Sequence, residues 1–185
     1  DVPIPSMLSR AWRALTERDP PELRGVALDA LELSFSPHLV WRISREIGPM
    51  IRMTESFEFS AAHRLYCPEL SETENRRLFG KCSNPAGHGH NYVVEVTVRG
   101  TPSKEGGTVT DVGALDRTVK ARVIDDFDHK NLNAECPEFA TLNPTVENIA
   151  LVIWNRLVGR VGKCELVNVR VWETPKTYAQ YDGAD

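Results

Sequence analysis

The stretch FGKCSNPAGHGHNYVVEV, residues 79–96, decides how the rest of the chain is read. Its second half runs on into HNYVVEVTVRG, which is rich in β-branched residues and stops at Gly100, the signature of a strand. Side chains alternate along a strand, so His88 and His90 project from the same face. Gly89 between them admits a close neighbour. Cys82 stands six residues before His88. Three readings compete for this cluster: a metal site, a nucleophile with its base, or a polar loop with ordinary hydrogen bonds.

Upstream, RMTESFEFSA at residues 52–61 alternates Met53, Glu55, Phe57 and Phe59, and predicts a strand running up to His63. If these two strands pair antiparallel, the end of one meets the start of the other. His63 then lies beside His88 and His90. Three imidazoles at one corner match a zinc site of the catalytic type, with a fourth position for water or substrate. The polar segment 66–87 between the strands reads as a long functional loop.

Downstream, GALDRTVKARVIDDF (113–127) places Leu115, Val119 and Val123 on one helical stripe. NPTVENIALVIWNRLVGRV (143–161) opens with Pro144 and a Thr145 cap, then sets Ile149, Ile153, Leu157 and Val161 at helical steps. ELVNVRVWET (165–174) alternates as a strand, and KTYAQYDG (176–183) predicts a short last one. Two strands, two helices and two strands predict an α+β fold: a four-stranded antiparallel sheet with two helices on one face.

Residues 1–49 stand apart from this unit. SMLSRAWRALTER predicts a helix over 7–17, and GVALDALELSF a strand over 26–35; REIGPM reads as a linker. The segment echoes the C-terminal one, each running a tryptophan helix, a polar turn, an alternating strand and Ser-Pro or Thr-Pro. Trp12 then matches Trp154, and Phe35 matches Glu173. The plainer alternative is that helix–turn–strand is a common pattern. The division that follows is 1–49 as the remnant of a degenerate first repeat and 50–185 as a complete domain.

Other chemistry gathers around the histidines. DFDHKNLN offers Asp128 and His129 side by side after a helix. Folded back to the metal corner, His129 would take a proton from the Cys82 thiol while Asp128 orients the ring. Glu173 puts a carboxylate at the end of an apolar strand, where it could accept two parallel hydrogen bonds from an aminopyrimidine edge. The plainer reading of Glu173 is a solvated strand end, and that of a free cysteine is a small buried hydrophobe.

Composition bounds the function. With 185 residues, a net charge of −4 and 41% apolar residues, the chain is one domain or slightly more, with a real core. Its basic residues are scattered, which argues against nucleic acid and against a charged membrane surface. No apolar run approaches the roughly 20 residues of a membrane span. Cys67, Cys82, Cys136 and Cys164 form no CxxC pair, so a cysteine zinc site is disfavoured and free thiols in a reducing cytoplasm are expected.

The motifs FSAAHRL, LFGKCSNPAGHGHNY, DHKNLN, NPTVENIA and VRVWET, in this order over residues 53–182, resemble the 6-pyruvoyltetrahydropterin and 6-carboxytetrahydropterin synthases. That resemblance implies a tunnelling fold whose subunits close into a β-barrel, typically a dimer of trimers, with active sites between subunits. It implies Zn2+ on His63, His88 and His90, and Cys82 as general base tuned by Asp128 and His129. Glu173 would anchor the pterin, with Thr145 near the ring. The implied reaction eliminates triphosphate from 7,8-dihydroneopterin triphosphate with internal redox transfer. The product is 6-pyruvoyltetrahydropterin, on the way to tetrahydrobiopterin, or 6-carboxytetrahydropterin, on the way to queuosine. Triphosphate contacts from Lys81 or Arg64 are a guess from charge. A non-catalytic pterin or purine binder on the same fold is the alternative, and a structural tandem scaffold a third.

Overall fold

The computed structural model describes residues 3–17, 25–46 and 50–183. The helix α1 (Ile4–Glu17) leads into strands β1 (Ala30–Ser36) and β2 (Leu39–Ser44). Strand β3 (Ile51–His63) follows, then helix α2 (Glu72–Phe79), a 3-10 turn at Gly80–Ser83, and β4 (His88–Gly100). Helix α3 (Val112–Val119) widens into a π turn at Lys120–Ile124 and closes as α4 (Asp125–Phe127). The short β5 (Lys130–Asn131) and α5 (Leu132–Glu135) precede helix α6 (Val146–Leu157), and β6 (Glu165–Thr174) and β7 (Thr177–Tyr181) end the fold.

The sheet has seven strands rather than four. The order along it is β1-β2-β3-β4-β6-β7, antiparallel throughout, with β5 added parallel to β3. The four predicted strands β3, β4, β6 and β7 form its centre and one edge. Helix 7–17 and strand 26–35 correspond to α1 and β1, and β1 extends the sheet through β2, a strand that the sequence reading left unassigned. Its residues Leu39, Val40, Trp41 and Ile43 are apolar, and Trp41 and Ile43 are buried. REIGPM overlaps residues 47–49, which lie outside the described residues, as does the boundary at 49.

The period-two pattern of β3 gives the sheet its two faces. Ile51, Met53, Phe57, Phe59, Ala61 and His63 are buried under the helices, while the intervening positions stay partly or wholly open. The stripes Leu115, Val119 and Val123 and Ile149, Ile153 and Leu157 pack on this face as predicted, within one hydrophobic core. Helix α6 stops at Leu157, and Val161 is buried beyond its end. Phe59 stacks on Tyr92 with ring centroids 4.8 Å apart, directly beneath the histidine corner. Each such buried side chain stabilises the core by about 1.5–3 kcal/mol.

The segment 66–87 is not a plain loop. Ser71 caps α2, with its hydroxyl accepting from the Glu74 amide and Glu74 reaching back to the Ser71 amide. Asn75 is fully buried there, and its side chain accepts from the Cys67 amide and donates to three carbonyls.

Candidate metal centre and proton-handling groups

The antiparallel register of β3 and β4 sets His63 opposite His88 and Ala61 opposite His90. All three imidazoles therefore share the helix-covered face, at the end of the sheet. The donor nitrogens lie within 4.8 Å of one another. His63 is completely buried and the other two half-buried.

The ring nitrogens show what the corner is built for. His63 donates from Nδ1 to the Pro144 carbonyl at 2.8 Å, which leaves Nε2 as a lone pair. That Nε2 lies 3.2 Å from His88 Nε2. Two imidazole ligands of one tetrahedral zinc ion would stand about 3.3 Å apart. His90 Nε2 and His88 Nδ1 are buried with no hydrogen-bond partner among the described residues, an arrangement that costs free energy unless something else satisfies them. Burial, and the neighbouring imidazoles after it, lower His63 to about 4 and hold His88 below its ordinary value. His63 and His88 are thus neutral ligands at neutral pH. The residues fit a metal ion.

Backbone devices hold the corner. Gly87 takes a left-handed φ of 69°, and a Cβ there would meet the His63 carbonyl oxygen at 3.0 Å. A Cβ on Gly89 would lie 3.3 Å from the Ala61 carbonyl, so the close neighbour that the glycine admits is the adjacent strand. The Pro144 carbonyl that fixes His63 belongs to the loop that Thr145 ends by capping α6, its hydroxyl accepting from the Asn148 amide at 3.3 Å. Thr145 thus has a visible structural duty beside any contact with a ring.

Glu173 points into the same corner. Its Oε1 lies 3.5 Å from His63 Nε2 and 3.7 Å from His90 Nε2. Cys82, half-buried on the 3-10 turn, is pinned by its carbonyl accepting from the Leu65 amide at 2.9 Å. Burial, then the negative charge of Glu173, push its thiol above the ordinary value. The same two causes, in that order, push the Tyr92 phenol up. Tyr92 stands in van der Waals range of the corner, with its hydroxyl 3.4 Å from His63 Nδ1, and the sequence reading had not singled it out. Pro144 it read only as the opening of a helix, because its part at the corner is played by a backbone oxygen and leaves no side-chain signal.

Asp128 and His129 form a pair, with Nδ1 2.7 Å from Oδ2. The pair is clamped to β3: Asp128 Oδ1 accepts from the Ser60 amide at 2.8 Å, and the His129 amide donates to the Ser60 carbonyl at 2.6 Å. His129 sits at φ 59°, a left-handed conformation uncommon outside glycine. The Ser60 amide, then His129, hold the Asp128 carboxyl below its usual range. The His129 side chain is 83% exposed and faces a cleft of about 520 Å³ shared with His90 and Asn91. No hydrogen bond joins it to Cys82 among the described residues. The structure therefore gathers His63, His88, His90, Glu173 and Cys82 at one corner and leaves the Asp128–His129 pair on the sheet's margin.

An antiparallel sheet backed by helices, with three histidines converging from two paired strand ends, defines a protein with a candidate catalytic-type metal centre. Residues 52–184 match the family described as 6-pyruvoyl tetrahydropterin synthase, and the chain belongs to that family. It is an enzyme of the lyase kind. The 6-pyruvoyl tetrahydrobiopterin synthase of Drosophila melanogaster is 41% identical over 136 residues, covering 73% of this chain and 81% of that protein. The solved structure of Caenorhabditis elegans 6-pyruvoyl tetrahydropterin synthase matches with a TM-score of 0.69 at 39% identity, covering 74% of this chain and 97% of that one. The 6-carboxy-5,6,7,8-tetrahydropterin synthase of Rickettsia bellii is 28% identical over 149 residues, covering 71% of this chain and 99% of that protein.

Proposed function

We propose that this protein is a zinc-dependent 6-pyruvoyltetrahydropterin synthase acting on 7,8-dihydroneopterin triphosphate. The observation that carries the reading is the convergence of His63, His88 and His90 beside Glu173 and Cys82 in a chain of this family. Three imidazoles favour zinc among common ions. When bound, zinc would acidify a side-chain hydroxyl of the substrate and polarise the carbonyl that develops there.

The chain's own groups supply the rest. Glu173, as a carboxylate, accepts paired N–H donors from the aminopyrimidine edge of the pterin. Burial, and after it the negative charge of Glu173, hold the Cys82 thiol protonated at rest. Pairing Glu173 with pterin donors offsets that charge, so arrival of substrate eases ionisation of Cys82 and readies it as the base. Asp128 keeps a proton on His129 Nδ1 and leaves Nε2 to exchange protons as the second acid–base group. An acid–base histidine that is 83% exposed needs a cover to exclude water, and a second copy of the chain packed over it in a homo-oligomer would provide it. A thiol base suits a reducing compartment such as the cytoplasm. Among the described residues no helix is long and apolar enough to cross a membrane.

The pyruvoyl product is favoured over the carboxy one by the higher identity to pyruvoyl synthases, 41% against 28%. The test is mass spectrometry of the reaction of the zinc-loaded protein with dihydroneopterin triphosphate. Free triphosphate and 6-pyruvoyltetrahydropterin are expected. Acetaldehyde with 6-carboxytetrahydropterin would move the chain to the other branch. Binding without turnover, unchanged in Cys82→Ala, would make it a non-catalytic pterin binder, a reading favoured by the lack of any hydrogen bond between Cys82 and His129 among the described residues.

A further inference from the structure

The helix and hairpin of residues 4–44 lie outside the family match, which begins at residue 52. None of their described side chains enters the metal corner. Their geometry nevertheless repeats that of α6, β6 and β7 in detail. In the first hairpin Leu31 pairs with Ile43 and Leu33 with Trp41, and the register slips between Ser34 and Ser36. In the second, Val169 pairs with Tyr181 and Val171 with Ala179, and the register slips between Trp172 and Thr174. One constant spacing carries five of the six pairs of the first onto the five pairs of the second, slip included; Ala30–Ser44 has no counterpart.

The turns repeat too. The His38 amide donates to Ser36 Oγ at 3.2 Å, and the Lys176 amide to Thr174 Oγ1 at 3.2 Å. So does the packing of the helix. Trp12 lines a cleft with Ser44 and Arg45, and Trp154 lines one with Asp182 and Gly183, the matching positions in the shared register. A common helix–turn–strand pattern does not require the same bulge, the same hydroxyl-closed turn and the same tryptophan seat.

We infer that residues 4–44 are an altered second copy of the unit 146–181, and that β2 occupies, on β3, the edge at which β7 of another copy of this chain would pair. The copy has lost the site's chemistry. Phe35 stands where Glu173 stands, and it is 71% exposed.

Main-chain directions say which edge is offered. In an antiparallel strand both polar groups of a residue face one neighbour, and successive residues alternate. The His38 carbonyl accepts from the Ser56 amide of β3, whereas the Arg45 amide donates to the Asp29 carbonyl on the β1 side. Val40 and Arg42 therefore face β3. Their counterparts on β7, Tyr178 and Gln180, face away from β6, along an edge that no described strand covers. An unpaired edge is a template for strand addition. The tether holds β2 on β3 at high effective concentration, so the same edge is closed to a strand from another molecule.

The test is the mass of the full-length chain by sedimentation equilibrium. Val40→Pro with Arg42→Pro removes two donors that face β3, and Trp41 fluorescence reports release of the hairpin. The assembly is expected to grow by a whole number of copies. Adding Tyr178→Pro, which removes a donor only from the outer edge of β7 and sits where an edge strand accepts proline, should return the mass to that of the unaltered chain. Release without growth, or growth that Tyr178→Pro leaves intact, would overturn the proposal. If the proline pair leaves β2 in place, Trp41→Asp removes its buried anchor and the same two masses decide. Replacing residues 30–44 by a copy of 168–182 should give a folded chain of unchanged mass; a chain that fails to fold would break the equivalence.

Discussion

Two histidines are fixed by the same end of β3, and they end in opposite environments. His63 is the strand's last residue, wholly buried, with one nitrogen committed to Pro144 and the other turned to His88. His129 is held to Ser60 of that strand by its backbone, and its side chain is 83% exposed. The first environment removes the proton and aims a lone pair, as a ligand requires. The second leaves the ring open to a partner or substrate while Asp128 fixes its orientation. Substitutions at the two sites should therefore fail in different ways.

The largest effect is expected at His63. His63→Ala should abolish stoichiometric zinc, read by metal analysis of the purified protein, and with it triphosphate release. It should also lower stability by roughly 2–4 kcal/mol, since a buried, hydrogen-bonded ring is lost from the core. Retention of one zinc per chain would break the ligand assignment.

His129→Asn should separate the two roles. Asparagine tolerates the left-handed backbone at this position. Turnover should fall by about 10²–10⁴-fold, the range for a lost acid–base group, with zinc content unchanged and stability within about 0.5 kcal/mol, as for exposed positions. Loss of metal in this variant would erase the distinction between the two histidines.

Much of this contrast is legible in the sequence, for a physical reason. The co-facial placement of His88 and His90 follows from a period of two, and the arrival of His63 from antiparallel pairing; both are geometric consequences of strands. The exposure of His129 is not legible, because it depends on a positive φ and on hydrogen bonds to Ser60. Helix α2 escaped notice because ETENRRLF has no apolar stripe; Ser71-x-x-Glu74 before it is the capping signal that marks its start. Strand β2 is six residues between a turn and a linker, too short for its alternation to stand out.

Acid should weaken the buried histidine selectively. His63 is lowered to about 4 in the folded chain from an ordinary 6.5. Below the unfolded value the unfolded chain takes up a proton that the folded ring refuses, so this contribution is present above pH 6.5 and is lost as pH falls towards 4. At about 1.4 kcal/mol per pH unit the full loss is roughly 3 kcal/mol. Urea unfolding of the metal-free protein and of His63→Asn at pH 7 and pH 4.5 should differ in pH dependence by most of it; the Glu55 carboxyl, pushed up to about 7 chiefly by burial, acts in the opposite sense in both and cancels in the comparison.

The smallest effect tests whether Glu173 couples the corner to the base. Glu173→Gln keeps the shape of the side chain but removes its charge and one of two equivalent acceptors. Pterin binding should weaken by about 10–100-fold, the worth of a charge-assisted hydrogen bond. In the metal-free, substrate-free protein the same change should bring the Cys82 thiol down, because burial and the Glu173 charge are what hold it up and only burial would remain. Iodoacetamide labelling of Cys82 followed across alkaline pH, with peptide mass spectrometry to separate it from Cys67, Cys136 and Cys164, reads that displacement. A labelling profile that does not move would mean that the carboxylate does not sense the thiol. Glu173 would then be an anchor alone, and the release of Cys82 on substrate arrival would need another cause.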